Sequence, residues 1–245
     1  MLARRVALLV VALVGVAACG VGTGGDGGTA AAPAVPLGSL PPTFVPIPLG
    51  STPPSTTTLP RTTVPIPADA LAGARAEGNR VILLGDSVLA STSKRYTNDM
   101  CEALVPLGWR VELNAETGRF VEFGHDVLDE RLAEGWDVGV ILLGNNYRGD
   151  PLDYGEELEG LIERLSPGPV VLLTVSEFDP SRAEVNAVVF EMAQRHDNVL
   201  LVDWGATTAA NPALTGADGL HLTDSGRAAL AAEVALAMGP APQTP

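Results

Sequence analysis

The feature that most limits what this chain can fold into is the run Val81-Ile82-Leu83-Leu84, which stops at Gly85-Asp86-Ser87. Four aliphatic residues in a row describe a strand buried on both faces, the condition of a parallel sheet covered by helices. The Gly-Asp-Ser turn delivers a hydroxyl to the carboxyl end of that strand, the rim at which open α/β sheets bind their ligands. A serine in that place is either a nucleophile or the N-cap of the next helix.

The same alternation continues along the chain. Further strands are expected over 110–114, 137–143, 170–175 and 198–202, after a first strand over 80–85. Helices are expected over about 92–105 and 120–133. Two more are marked by apolar residues at i, i+3, i+4 and i+7: Leu158, Leu161, Ile162 and Leu165, then Val185, Val188, Val189 and Met192. After a loop containing Gly216 and Gly219, Thr223 can N-cap a last helix that buries Leu230, Val234 and Met238. Five strands separated by helices give an α/β fold, a parallel sheet with helices on both faces. Cys101 falls in the first of these helices, where a buried small hydrophobe is its expected role.

What precedes this region has another character. Arg4 and Arg5 lead into an apolar run from Val6 to Ala18, too short for a bilayer core of roughly 20 residues and suited to a secretory signal. Val16-Ala17-Ala18-Cys19 resembles the lipobox of bacterial lipoproteins, which implies acylation of Cys19 and a membrane partner through that lipid. The simpler alternative is cleavage near Ala18 with Cys19 a bystander. Residues 20–68 are rich in Gly, then in Pro and Thr, and Asp26 and Arg61 are the charges among them. With no apolar periodicity to offset chain entropy, this stretch is expected to be a disordered tether. In extended polyproline form it would reach on the order of 100 Å or more. The folded domain is then expected over 69–238, with a disordered tail over 239–245.

A formal net charge of −14, with Lys94 the only lysine, argues against nucleic acid as a partner. The two cysteines, 82 positions apart, provide neither a zinc spacing nor a disulfide framework. Neither a metal nor an organic cofactor is expected, and the chain is expected to act as a monomer.

Three histidines compete as a base for Ser87. His196 precedes the fifth strand, at the wrong end of the sheet, and His125 falls inside a helix, where a solvated surface position is expected. His221 follows the fifth strand and precedes the last helix, on the same rim as Ser87. Asp218 stands three residues before it, so one turn can set a carboxylate against Nδ1 and leave Nε2 for the serine hydroxyl. Acyl transfer also needs donors for an oxyanion. The third strand leads into Gly144-Asn145-Asn146-Tyr147, which brings two side-chain amides to this rim, and the second into Glu116-Thr117-Gly118-Arg119, where a glycine lets a backbone N–H approach. Asparagines after strands are also common turn formers. Glu177, Phe178, Tyr147, Arg119 and Arg148 are either rim residues that shape specificity or solvated loop residues.

In these blocks the chain resembles the SGNH hydrolase superfamily, the GDSL-type esterases. Gly85-Asp86-Ser87, Gly118, Gly144-Asn145-Asn146 and Asp218-Gly219-Leu220-His221 match its four blocks in order, across roughly residues 80–238. The resemblance implies a three-layer, flavodoxin-like fold with sheet order 2-1-3-4-5. It implies Ser87 as nucleophile, His221 as base and Asp218 as its orienting acid, with Ser87 N–H, Gly118 N–H and the Asn146 side chain as oxyanion hole. Gly118-Arg119 and Val202-Asp203-Trp204 are similar to the extracellular SGNH domain of bacterial cell-wall O-acetyltransferases. Tyr147 replaces the Asp that often follows the third-block asparagine, and Val88 replaces the usual Leu after the serine. No Gly-x-Ser-x-Gly elbow surrounds Ser87, as an α/β-hydrolase would require.

The function these readings imply is an exported, lipid-anchored serine esterase acting on acyl esters, acetyl above all, of cell-envelope carbohydrate. Activity is expected to rise with pH as His221 loses its proton. Two alternatives stand beside it: an O-acyltransferase that passes the acyl group to a cell-wall sugar, and a non-catalytic envelope-binding lipoprotein.

Overall fold

A computed structural model describes residues 17–18 and 70–243. Its sheet has five parallel strands: β1 (Arg80–Gly85), β2 (Arg110–Ala115), β3 (Val138–Leu142), β4 (Val170–Leu173) and β5 (Val199–Val202). Their order is β2-β1-β3-β4-β5, so the first strand lies at the centre. The centre is where the most apolar run belongs. Val81, Ile82, Leu83 and Leu84 are completely buried, and each such side chain contributes about 1.5–3 kcal/mol by leaving water. β5 closes one edge and leaves Leu201 exposed. On the other edge, Ala17–Ala18 adds two residues antiparallel to β2.

The helices are α1 (Ala72–Arg75), α2 (Ser87–Ala90), α3 (Asp99–Leu104), α4 (Phe123–Arg131), α5 (Pro151–Leu165), α6 (Arg182–Arg195), α7 (Trp204–Ala210) and α8 (Asp224–Met238). α1 and α3 pack on α8, whereas α4 and α6 flank α5. The apolar stripes expected on α5, α6 and α8 are the buried ones, and the Thr223 hydroxyl caps α8 by accepting from Gly226 N–H at 3.2 Å.

Several expectations need correction. The helix expected over 92–105 forms only from Asp99. Thr92 Oγ1 donates to the Leu89 carbonyl at 2.8 Å, and Asn98 adopts a left-handed φ of 67°; hydroxyl-to-backbone bonds of this kind compete with helix. α7 has no counterpart among the expected helices; the Asp203 carboxylate caps it, accepting from Ala206 N–H at 3.1 Å, and Trp204 anchors it in the core. The tail expected to be disordered is docked at its start. Trp109 Nε1 donates to the Gly239 carbonyl at 2.8 Å, Ala241 N–H to Leu107 O at 2.9 Å, and Ala241 is buried. Cys101 is buried as expected. His125 is not a solvated surface residue: it is half-buried, with Nε2 2.9 Å from the Glu157 carbonyl.

The signal, Cys19 and the 20–68 tether lie outside the described residues, apart from the Ala17–Ala18 pairing. Among the described residues, no helix is long and apolar enough to cross a membrane.

Candidate active site

The site forms where β1, β2 and β3 end side by side. Gly85 is in register with Ala115 on one flank and Leu142 on the other, so the three following loops emerge at one rim. The turn after β1 excludes Ser87 as the helix cap. Asp86, not Ser87, is the N-cap of α2, accepting from Val88 N–H at 3.0 Å. Ser87 becomes the first helical residue, its N–H among those that a helix start leaves without an intrahelical partner.

The Ser87 hydroxyl lies 3.3 Å from His221 Nε2. Nδ1 of the same ring lies 2.7 Å from Asp218 Oδ2, while Asp218 Oδ1 accepts the N–H groups of Leu220 and His221, both at 3.0 Å. The His221 hydrogen bond, with help from Leu220 N–H, lowers the Asp218 carboxyl to about 2, so this loop carries a fixed negative charge. Both side chains are about half exposed.

The two adjacent asparagines part company. Asn145 is buried and turns inward: its backbone N–H reaches Asp86 Oδ2 at 3.2 Å, and its amide reaches both Asp86 oxygens at 3.0 and 3.1 Å. Asn146 faces the rim and donates to the Arg119 carbonyl at 3.0 Å, next to Gly118. The third-strand loop is thereby tied to the second-strand loop. Two glycines are demanded by this geometry. Gly118 has φ +78°, a conformation L side chains rarely adopt, and a Cβ on Gly144 would sit 2.6 Å from Val185 and 3.0 Å from the Tyr154 hydroxyl. That hydroxyl donates to the Leu143 carbonyl at 2.7 Å and pins the end of the third strand.

Asp86 was not foreseen as part of the framework. It is completely buried, and burial pushes its carboxyl up to about 6, against the opposing pull of the Val88 and Asn145 donors. Its place in the block next to Ser87 was the available signal; its partner, 59 positions away, was not readable. The rim residues all have partners. Arg119 Nε donates to Glu116 at 2.8 Å and its guanidinium lies over Phe123, Arg148 lies over Phe120 and pairs with Glu122, Tyr147 donates to Glu184 at 2.8 Å, and Glu177 accepts from Asn186 at 3.2 Å. Phe178 packs at the foot of the Asp218–His221 loop, beside Gly219.

No family model matches the chain. O-acetyltransferase OatA of Staphylococcus aureus is 23% identical over 152 residues, which cover 61% of this chain and 23% of that protein, so the match spans under a quarter of that relative's length. Among solved structures, a putative GDSL-like lipase from Parabacteroides merdae superposes with a TM-score of 0.52 at 20% identity, covering 66% of this chain and 96% of that one. The C-terminal catalytic domain of the peptidoglycan O-acetyltransferase OatA of Streptococcus pneumoniae gives 0.51 at 20% identity, covering 64% and 89%. The esterase EstA from Pseudoalteromonas sp. gives 0.51 at 15%, covering 64% and 93%. The chain has the SGNH, or GDSL-type, fold. Within that class its similarity extends to the O-acetyltransferases in both sequence and fold.

Proposed function

We propose that this protein is an exported SGNH-type serine esterase that hydrolyses small acyl esters, acetyl above all, on cell-envelope carbohydrate. One observation carries the reading: the unbroken hydrogen-bond chain from Ser87 Oγ through His221 to Asp218, at 3.3 and 2.7 Å. Ser87 Oγ attacks the ester carbonyl carbon as its proton passes to His221 Nε2. The ionised Asp218 holds Nδ1–H and stabilises the imidazolium. The tetrahedral oxyanion meets the N–H groups of Ser87 and Gly118 and the Asn146 amide. Collapse breaks the bond to the alcohol, which leaves with the proton from His221. Water, deprotonated by the same nitrogen, then attacks the acyl-serine and releases the acid and Ser87.

Export rests on the Arg4-Arg5 and Val6–Ala18 signal, and lipid anchoring on Cys19. The 20–68 tether would stand the domain, a monomer, off the membrane. A second reading keeps the acyl-enzyme but gives the acyl group to a sugar hydroxyl, and the similarity to O-acetyltransferases favours it. The non-catalytic reading predicts no covalent step at all.

Incubating the full chain with p-nitrophenyl acetate, beside Ser87→Ala, separates the three. Nitrophenol release abolished by the substitution, with an acetyl mass adduct that clears in water, is the expected result. An adduct that persists until a sugar acceptor is added selects the transferase. Neither release nor adduct, with acetyl and longer acyl donors, overturns both enzymatic readings.

A further inference from the structure

Arg182, the first residue of α6, is the one charged residue besides Asp86 that is buried among the described residues, at 9% exposure. Seven arginines of the described residues pair with a carboxylate, all of them more exposed than this one. Arg182 pairs with none, in a chain with 29 acidic and 15 basic residues. The carboxylates on its own stretch are engaged by hydroxyls: Asp179 accepts from Ser181 at 2.6 Å, and Glu184 from Tyr147 at 2.8 Å. Of the Arg182 donors, Nη1 reaches Ser181 Oγ at 2.8 Å, and Nε is buried without a partner.

A buried cation is costly unless something stabilises it. Asp179 does so in part from the far side of Ser181 Oγ, which accepts from Arg182 Nη1 and donates to Asp179 Oδ1. Two aromatic rings do so here, Phe178 with its centroid 4.8 Å from the guanidinium carbon and Tyr147 at 5.8 Å. These rings come from opposite sides of the candidate site. Tyr147 follows Asn146, and Phe178 lies against Gly219, where an added Cβ would be 3.2 Å from its own Cβ. The guanidinium therefore lies between the asparagine loop and the β4–α6 loop that packs against the histidine loop, with Nη1 on Ser181 Oγ and Nε without a partner.

We propose that Arg182 is the anion receptor of this site, and that it takes a carboxylate carried by the sugar whose ester is cleaved. The inference rests on reading this rim as an ester-binding site. Planar, forked donors fit a carboxylate better than a hydroxyl, and a site with a desolvated arginine discriminates strongly against a neutral ligand. The carboxylate could belong to the ring, as in a uronic acid, or to a lactyl ether on it.

The test is binding by the full chain, measured by ligand-observed NMR titration, which requires no turnover. Methyl glucuronoside is compared with methyl glucoside, and N-acetylmuramic acid with N-acetylglucosamine. In at least one pair the acid is expected to bind about tenfold or more tighter than its neutral partner, and the pair that responds identifies the source of the carboxylate. Arg182→Gln, with a native near-ultraviolet circular dichroism spectrum, is expected to erase that preference. Arg182→Lys keeps the charge without the fork and is expected to keep only part of it, a second measurement should the glutamine variant fail to fold. Equal binding of acid and neutral sugar in both pairs overturns the proposal without any variant, as does a folded Arg182→Gln that keeps the preference. Turnover of p-nitrophenyl acetate alongside equal binding would leave the esterase standing and remove the receptor.

Discussion

The two halves of the candidate site are held in opposite ways. The Gly85-Asp86-Ser87 turn hangs from the central strand, and its aspartate is fully buried and clamped by Asn145 from the next strand. The Asp218–His221 loop stands half exposed, and its aspartate is fixed by its own neighbours within three residues. Burial pushes one carboxyl up to about 6; the imidazole hydrogen bond pulls the other down to about 2. The difference teaches where each part of such a site gets its precision. Ser87, the proposed nucleophile, is positioned by core packing, so disturbing its support should cost stability. His221, the proposed base, is positioned by local hydrogen bonds, so disturbing it should cost activity more than stability.

The largest effect expected is on ester hydrolysis. Ser87→Ala should lower kcat by at least about 10⁴-fold while leaving the urea midpoint unchanged. Next comes the exposed half: Asp218→Asn should lower kcat on the order of 10²–10⁴-fold through loss of the correct tautomer, with a smaller loss of stability than Asp86→Ala because its pair is half exposed. If that variant instead unfolds the domain, the contrast between the two halves is wrong. Asp86→Ala reverses the pattern. It strands the inward-facing Asn145 amide and should cost about 2–4 kcal/mol in equilibrium unfolding, with activity lost as Ser87 shifts.

The pH dependence sharpens the same contrast. Asp86 has a folded pKa near 6 against about 3.9 unfolded, so between those values the folded state holds the extra proton, and stability from this group falls as pH rises. Asp218 has the opposite sign: its contribution is present above about pH 4 and is lost as pH falls towards 2. Urea denaturation at pH 4 and 7 should show Asp86→Asn gaining on the parent as pH rises, by on the order of 3 kcal/mol. Asp218→Asn should show no gain in that window. The smallest effect belongs to the loop's anchor. Thr223→Ala removes the α8 cap and the hydroxyl bonds to the Ala213 and Leu214 carbonyls, and should cost about 1 kcal/mol.

The sequence by itself determined the frame and the order of its chemistry. Runs such as Val81–Leu84 can only be buried strands, and the stripe Leu158, Leu161, Ile162 and Leu165 can only be one helix face, because both patterns are local and repeat at the period of the backbone. The blocks that hold Ser87, Gly118 and Asn146 were legible for the same reason, each in a short turn after a strand, and Asp218 and His221 stand within one turn of each other just before α8. Only the tertiary structure showed that Asn145, beside the rim residue Asn146, turns into the core and clamps Asp86. It alone passed the helix cap from Ser87 to Asp86, docked Gly239 and Ala241 against Trp109 and Leu107, and brought Arg182 between two rings. The Asn145–Asp86, Arg182–Tyr147 and Trp109–Gly239 contacts join residues far apart in the chain, and pairings at that separation are set by how strands and helices pack, which no local pattern encodes.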